Sequence, residues 1–145
     1  MADPTPAAPT IWGYVLEARG RPSVERQREC MAFHGVRVDG LSPPVYHDAP
    51  PPRPTRPRTQ LADRAALLMA AHKGDVVVVA APECLGVSEA DVAWFLSELA
   101  ARGASVIING GSERIAPGDD VGGVAKAAGR AARARHMAVY RGKKR

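Results

Sequence analysis

Lys73-Gly-Asp-Val-Val-Val-Val-Ala-Ala-Pro-Glu-Cys-Leu-Gly-Val-Ser88 holds an unbroken apolar run from Val76 to Ala81. A strand with one wet face alternates apolar and polar residues. A continuous run reads instead as a central parallel strand buried on both faces. Ser88 and Asp91 have capping-box spacing and predict a helix through Arg102. Val92, Phe95, Leu96 and Leu99 form its buried stripe, and Gly103 stops it. Ser105 to Ile108 reads as another buried strand. Working back, Thr59 is predicted to cap a helix through Lys73, with Leu61, Ala65, Leu68 and His72 on one face and Gly74 at its end. Val45 to Asp48 can be read as a short second strand. Thr10 to Glu17 is strand-like through Ile11, Tyr14, Val15 and Leu16. Ser23 is placed to cap a helix to His34, with Val24, Gln27, Met31 and His34 at helical spacing and Gly35 as the stop. Beyond the last strand, Asn109 to Gly123 reads as a glycine-rich loop, and Val124 to about Tyr140 as an alanine-rich, basic helix. Strands and helices alternate throughout. The expected fold is α/β, a mainly parallel sheet with helices on both faces.

The 145 residues suit one domain with a real core. Its expected layout is a flexible segment over 1–9, the α/β domain over 10–120 and a basic helix and tail over 121–145. Ala49 to Pro57 holds five prolines and two arginines. It is read as a polyproline-like surface insertion within the domain, spanning 49–58. No stretch approaches the roughly 20 apolar residues of a membrane span. Met1 to Pro9 lacks the basic start and apolar centre of a signal peptide, so a cytoplasmic location is expected. Cys30 and Cys84 lack metal-ligand spacing, and His34, His47, His72 and His136 are scattered. Neither a metal nor a cofactor is expected.

The net charge of +5 is unevenly placed. Lys126, Arg130, Arg133, Arg135, Arg141, Lys143, Lys144 and Arg145 lie beyond Val121, with no acid among them. The rest of the chain has 12 basic residues against 15 acidic ones, a balance of −3. Basicity confined to one terminal segment points to a polyanion such as the DNA backbone.

In such sheets, sites lie at the carboxyl ends of strands. Here those ends are Glu17-Ala-Arg19, Asp48, Pro82-Glu-Cys84 and Asn109-Gly110. Several resemble motifs of the resolvase/invertase family of serine recombinases. Tyr14, Val24, Glu25 and Gln27 fall in register with its first motif, Tyr-Ala-Arg-Val-Ser-Thr followed by Leu-Glu-x-Gln. Tyr46-His-Asp48 resembles its Phe-x-Asp, and Arg64-Ala-Ala-Leu67 its Arg-x-x-Leu. Gly74-Asp-Val-Val-Val-Val79 resembles the Gly-Asp-x-Leu-x-Val lead into its central strand. Glu83-Cys-Leu-Gly-Val-Ser88 stands where the family has Asp-Arg-Leu-Gly-Arg-Ser. The resemblance spans Ile11 to about Ile108.

What the resemblance implies is a dismantled site. The family's nucleophilic serine falls on Ala18, and its arginines fall on Leu16, Cys84 and Val87; only Arg64 survives. Asp48 and Glu83 remain as acids, with Asp48 expected to pair with Arg64 as a structural relic. Cleavage of a phosphodiester needs a nucleophile and guanidiniums to neutralise the developing charge. The chain therefore reads as a pseudoenzyme without strand-exchange activity. Arg19 or Arg21 could reach a phosphate, but neither is a nucleophile, and Ser23 is read as a cap. A thiol just before a helix, as at Cys84, can have a lowered pKa, yet no base partner is evident. The expectation is a bacterial or phage-type protein, nucleoid-associated if it binds DNA. It would contact DNA non-specifically through its basic end or regulate recombination, as a homodimer or with an active recombinase. The alternative is an interaction or assembly module that has left DNA behind.

Overall fold

The computed structural model describes residues 9–33, 36, 45–108 and 113–143, excepting the side chains of 139–143. The elements are β1 (Ile11–Leu16), α1 (Val24–Phe33), β2 (Val45–Asp48), α2 (Pro57–Gln60), α3 (Ala62–Ala70), β3 (Val76–Val78), a 3₁₀ turn (Pro82–Leu85), α4 (Glu89–Ala101), β4 (Ser105–Ile108), β5 (Glu113–Ile115) and α5 (Gly122–Lys143). The sheet order is β2-β1-β3-β4-β5. The first four strands are parallel, with Gly13 opposite both Val45 and Val78, and Val77 opposite Val106. β5 runs antiparallel on the edge, Ile115 opposite Val106. The chain is thus an α/β protein with a mostly parallel sheet.

Side-chain alternation sorts the two faces of the sheet. Val15 and Val78 join Met31 and Val36 in a small cluster under α1. Tyr14, Leu16, Val77, Val79, Val106 and Ile108 face the larger core, closed by α3, α4 and the alanines of α5. Gly13 is required where α1 crosses: a Cβ there would lie 2.7 Å from Met31 Sδ.

Several expectations need correction. The helix expected from Thr59 to Lys73 is two pieces that break at Leu61. Pro57 opens the first, its fixed φ being suited to that position. The buried face of α3 and its flanks is Leu61, Arg64, Leu67, Leu68 and Ala71, while His72 is exposed. An arginine sits on the core stripe, which is why apolar periodicity misplaced the face. The expected loop 109–123 contains β5, a three-residue edge strand with one buried side chain, too short for an alternation signal. The last helix starts at Gly122, two residues earlier than expected, and reaches Lys143. The run Val76–Ala81 is strand only to Val78, although the Val79 N–H still donates to Ile107 O at 2.9 Å. His34, Gly35, Asn109, Gly110, Lys144 and Arg145 lie outside the described residues, as does nearly all of the expected segment 1–9. Among the described residues no helix is long and apolar enough to cross a membrane.

Candidate functional site

From β1 the chain crosses to β2 on one side, then to β3 on the other. The carboxyl ends of β1 and β3 therefore flank a topological switch point, where open α/β sheets place their crevice. The loop after β1 carries Ala18, Arg19 and Arg21. The 3₁₀ turn after β3 carries Glu83 and Cys84. The proline segment after β2 closes a cavity of about 260 Å³ over Ala18, walled by Arg19, Arg21, Pro50, Pro51, Pro52, Pro54 and Val87. Segments that follow β1, β2 and β3 thus share one cavity, although Asp48, Glu83 and Cys84 are not in its lining.

Arg21 bridges this crevice. Its Nε donates to Glu83 O at 2.8 Å, Nη2 to Gly86 O at 2.6 Å and Nη1 to Arg19 O at 2.5 Å. These bonds commit three of its five N–H donors to main-chain carbonyls. Burial pulls the guanidinium below its ordinary pKa, opposed by the neighbouring Cys84 and Glu83. Arg21 is thereby a loop-to-loop tie, with little left for a phosphate.

Arg64 is even more fully occupied. It is 1 % exposed and forks onto Asp91, Nη1 to Oδ2 and Nη2 to Oδ1 both at 2.7 Å. Nη1 also donates to Leu85 O at 3.0 Å, and the Phe95 ring lies 4.9 Å beneath the guanidinium. Asp91 accepts the Val87 N–H at 2.9 Å, while its own N–H donates to Ser88 Oγ at 3.1 Å, so the expected cap on α4 is present. Gly86 makes this packing possible: a Cβ there would meet Asp91 Oδ2 at 2.6 Å.

Asp48 does not pair with the Arg64 guanidinium as expected. Its Oδ2 accepts the Arg64 main-chain N–H at 2.8 Å and the Tyr14 hydroxyl at 2.7 Å, while Oδ1 accepts the Asp63 N–H at 3.0 Å. The carboxylate caps α3 from a neighbouring strand, replacing a cap that Leu61 cannot supply. Burial, then Asp48, raise the pKa of Tyr14 and keep its hydroxyl protonated. Gln27 is fully buried and holds the end of β1: Oε1 accepts Leu16 N–H and Nε2 donates to Leu16 O, both at 3.0 Å.

The remaining predicted positions are apolar or inert. Leu16 and Cys84 are fully buried, and Ala18 and Val87 pack against the core from partly covered positions. Burial, then the Glu83 carboxylate, push the Cys84 thiol up to about 12, opposite to a reactive thiolate. Ser23 accepts the Arg26 N–H at 3.2 Å and is the expected cap. Glu83 is 2 % exposed, and its Oε2 accepts Arg135 Nε at 2.9 Å.

Helix α5 lies over the same site. A Cβ on Gly20, which has φ +73°, would clash with Ala132 O, and one on Gly129 would meet Glu89 Oε1 at 2.6 Å. The stripe that packs inward is Ala125, Ala128 and Ala132, and Arg135, 47 % exposed, reaches Glu83 from its edge. Lys126, Arg130 and Arg133 are exposed. Arg133 stands 3.7 Å from Glu89 with 67 % of its side chain in solvent. The predicted basic set is therefore split: Arg135 turns toward the domain, and Lys126, Arg130 and Arg133 face solvent. Arg141 and Lys143 belong to α5, but their side chains lie outside the described residues. Among the described residues no cluster of His, Cys, Asp and Glu could hold a metal. No protein-family model and no curated protein matches this chain.

Proposed function

We propose that the chain is a catalytically inactive relative of the serine recombinases that binds the DNA backbone without sequence preference through α5 and the tail. The observation carrying this reading is the state of Arg64. It is the one guanidinium retained among the positions that match the family's arginines, and it is buried and forked onto Asp91. A phosphate could recruit it only by breaking that pair. Ala18 offers no nucleophile beside it, and Arg21 is spent on carbonyls. One oxyanion donor is worth about 10²–10³ in rate, so a site lacking these groups has no route to strand cleavage. On the opposite side of α5 from its packing face, Lys126 and Arg130 stand one turn apart with Arg133 beside them. Such a stripe can track phosphates without reading bases. Its role would be architectural or regulatory in a DNA transaction such as site-specific recombination.

The test has two arms. Incubation with supercoiled plasmid yields no nicked product and no covalent adduct; either product overturns the pseudoenzyme reading. Electrophoretic mobility at low salt shows a shift that vanishes at moderate salt, on unrelated sequences alike. No shift at low salt would leave the interaction-module reading, which the proline-walled cavity over Ala18 favours as a partner surface.

A further inference from the structure

Arg135 lies on α5 one heptad after Ala128, at the solvent edge of the alanine stripe, and reaches the domain through Glu83. The two sides of this pair are unequal. Glu83 is 2 % exposed and Arg135 is 47 % exposed. The buried carboxylate has one donor on Oε2, and its Oε1 has none. Arg135 is therefore the hydrogen-bonded partner of the Glu83 carboxylate, which the Arg21 guanidinium also neighbours, while Arg135 sits at the solvent margin within reach of another anion. Among the described residues of α5, none beyond Arg135 makes a hydrogen bond or ion pair to the domain, and His136, Met137 and Ala138 are exposed.

We propose that the Glu83–Arg135 pair is an autoinhibitory latch. It fastens the carboxyl half of α5 to the emptied site and withholds one cation from DNA. A phosphate placed over this half of the helix competes with Glu83 for the same guanidinium. Release would leave Glu83 buried and unpaired, so the closed state is favoured until several phosphate contacts act together. The inference rests on the reading of α5 as the DNA-contacting element.

Glu83→Gln keeps the shape and removes the charge, so it opens the latch. Two measurements on the full chain test it. Amide exchange across 132–143 becomes several-fold faster in E83Q, while exchange in β1 and β3 is unchanged. In DNA titrations over a salt series, E83Q binds several-fold tighter at low salt. Its log K against log[salt] slope steepens by about 0.9, one added phosphate contact. Arg135→Gln alone leaves the wild-type slope unchanged, and E83Q with R135Q returns to it. Unchanged exchange in E83Q overturns the latch. So does a wild-type slope that falls by about 0.9 in R135Q, because Arg135 would then already be on phosphate. If no variant binds DNA but exchange rises as expected, the pair still fastens α5, but its autoinhibitory role is overturned together with the DNA reading.

Discussion

Arg64 heads the fully buried side chains by volume, with the Phe95 ring 4.9 Å from its guanidinium. Removing one partner of a buried ion pair strands the other charge in a medium that solvates it poorly. Arg64→Ala is expected to lower stability by about 3–5 kcal/mol, read as a fall in the urea midpoint. Ala18→Ser is the complementary experiment. It places an oxygen where the resemblance aligns the family's serine, but Leu16, Cys84 and Val87 still cannot donate to phosphate. No covalent protein–DNA adduct should form on end-labelled DNA, and an adduct would show that guanidiniums other than those considered reach the site. Cys84 adds a chemical check. With its thiol pushed up to about 12 and fully buried, native alkylation near pH 8 should label Cys30, which is partly exposed, far faster than Cys84. Comparable rates, read by peptide mass, would mean that the turn after β3 opens readily.

Elements here are joined by carboxylates reaching across chain segments. Asp75 shows the pattern most fully. Its Oδ1 accepts Thr10 N–H at 2.9 Å, and its Oδ2 accepts Trp12 Nε1 at 3.0 Å and His72 N–H at 2.8 Å. One side chain thus ties the start of β1 to the end of α3 beside β3. Burial alone would raise its pKa, but the bonds from Trp12, Thr10 and His72 outweigh it and hold the carboxyl below its ordinary value. The unfolded chain then takes up the proton more readily than the folded one. The stabilisation is complete above the ordinary carboxylate range and is lost as pH falls through the folded value. Asp75→Asn should flatten the acid limb of stability below roughly pH 4. It should also cost about 1–3 kcal/mol at neutral pH, measured by urea unfolding across the pH range. An acid limb as steep as wild type would place that titration elsewhere. This scale also sets what could be read beforehand. The apolar run of β3, the Ser88 cap and the Leu99 stripe announce themselves because they are local. Asp48 capping α3, Arg64 on a core stripe and Glu83 receiving Arg135 are long-range pairings of charged residues. Nothing in one linear sequence distinguishes such residues from solvated ones.

Across the whole molecule, charge is segregated, with +8 beyond Val121 against −3 in the remainder. The asymmetry was visible in composition, but its orientation was not, because only packing decides which cations α5 presents. A polyanion approaching this protein is drawn to the outer face of α5 and repelled by the acidic remainder, so encounter is oriented before contact. Lys126 and Arg130 are exposed and make no described ion pair, so in the proposed function they are the cations that replace counterions on DNA. Each phosphate neutralised steepens the salt dependence by about 0.9 in log K per log[salt]. Lys126→Ala with Arg130→Ala should therefore reduce the slope by about 1.8 and weaken binding on all sequences equally. Thermal stability should be nearly unchanged, since surface charges away from a packed pair contribute little. An unaltered slope in this double variant would move the contact off the outer face of α5 and onto the tail beyond it. A slope that falls on one DNA sequence but not on another would mean that the helix reads bases, which phosphate-tracking cations at this spacing do not do.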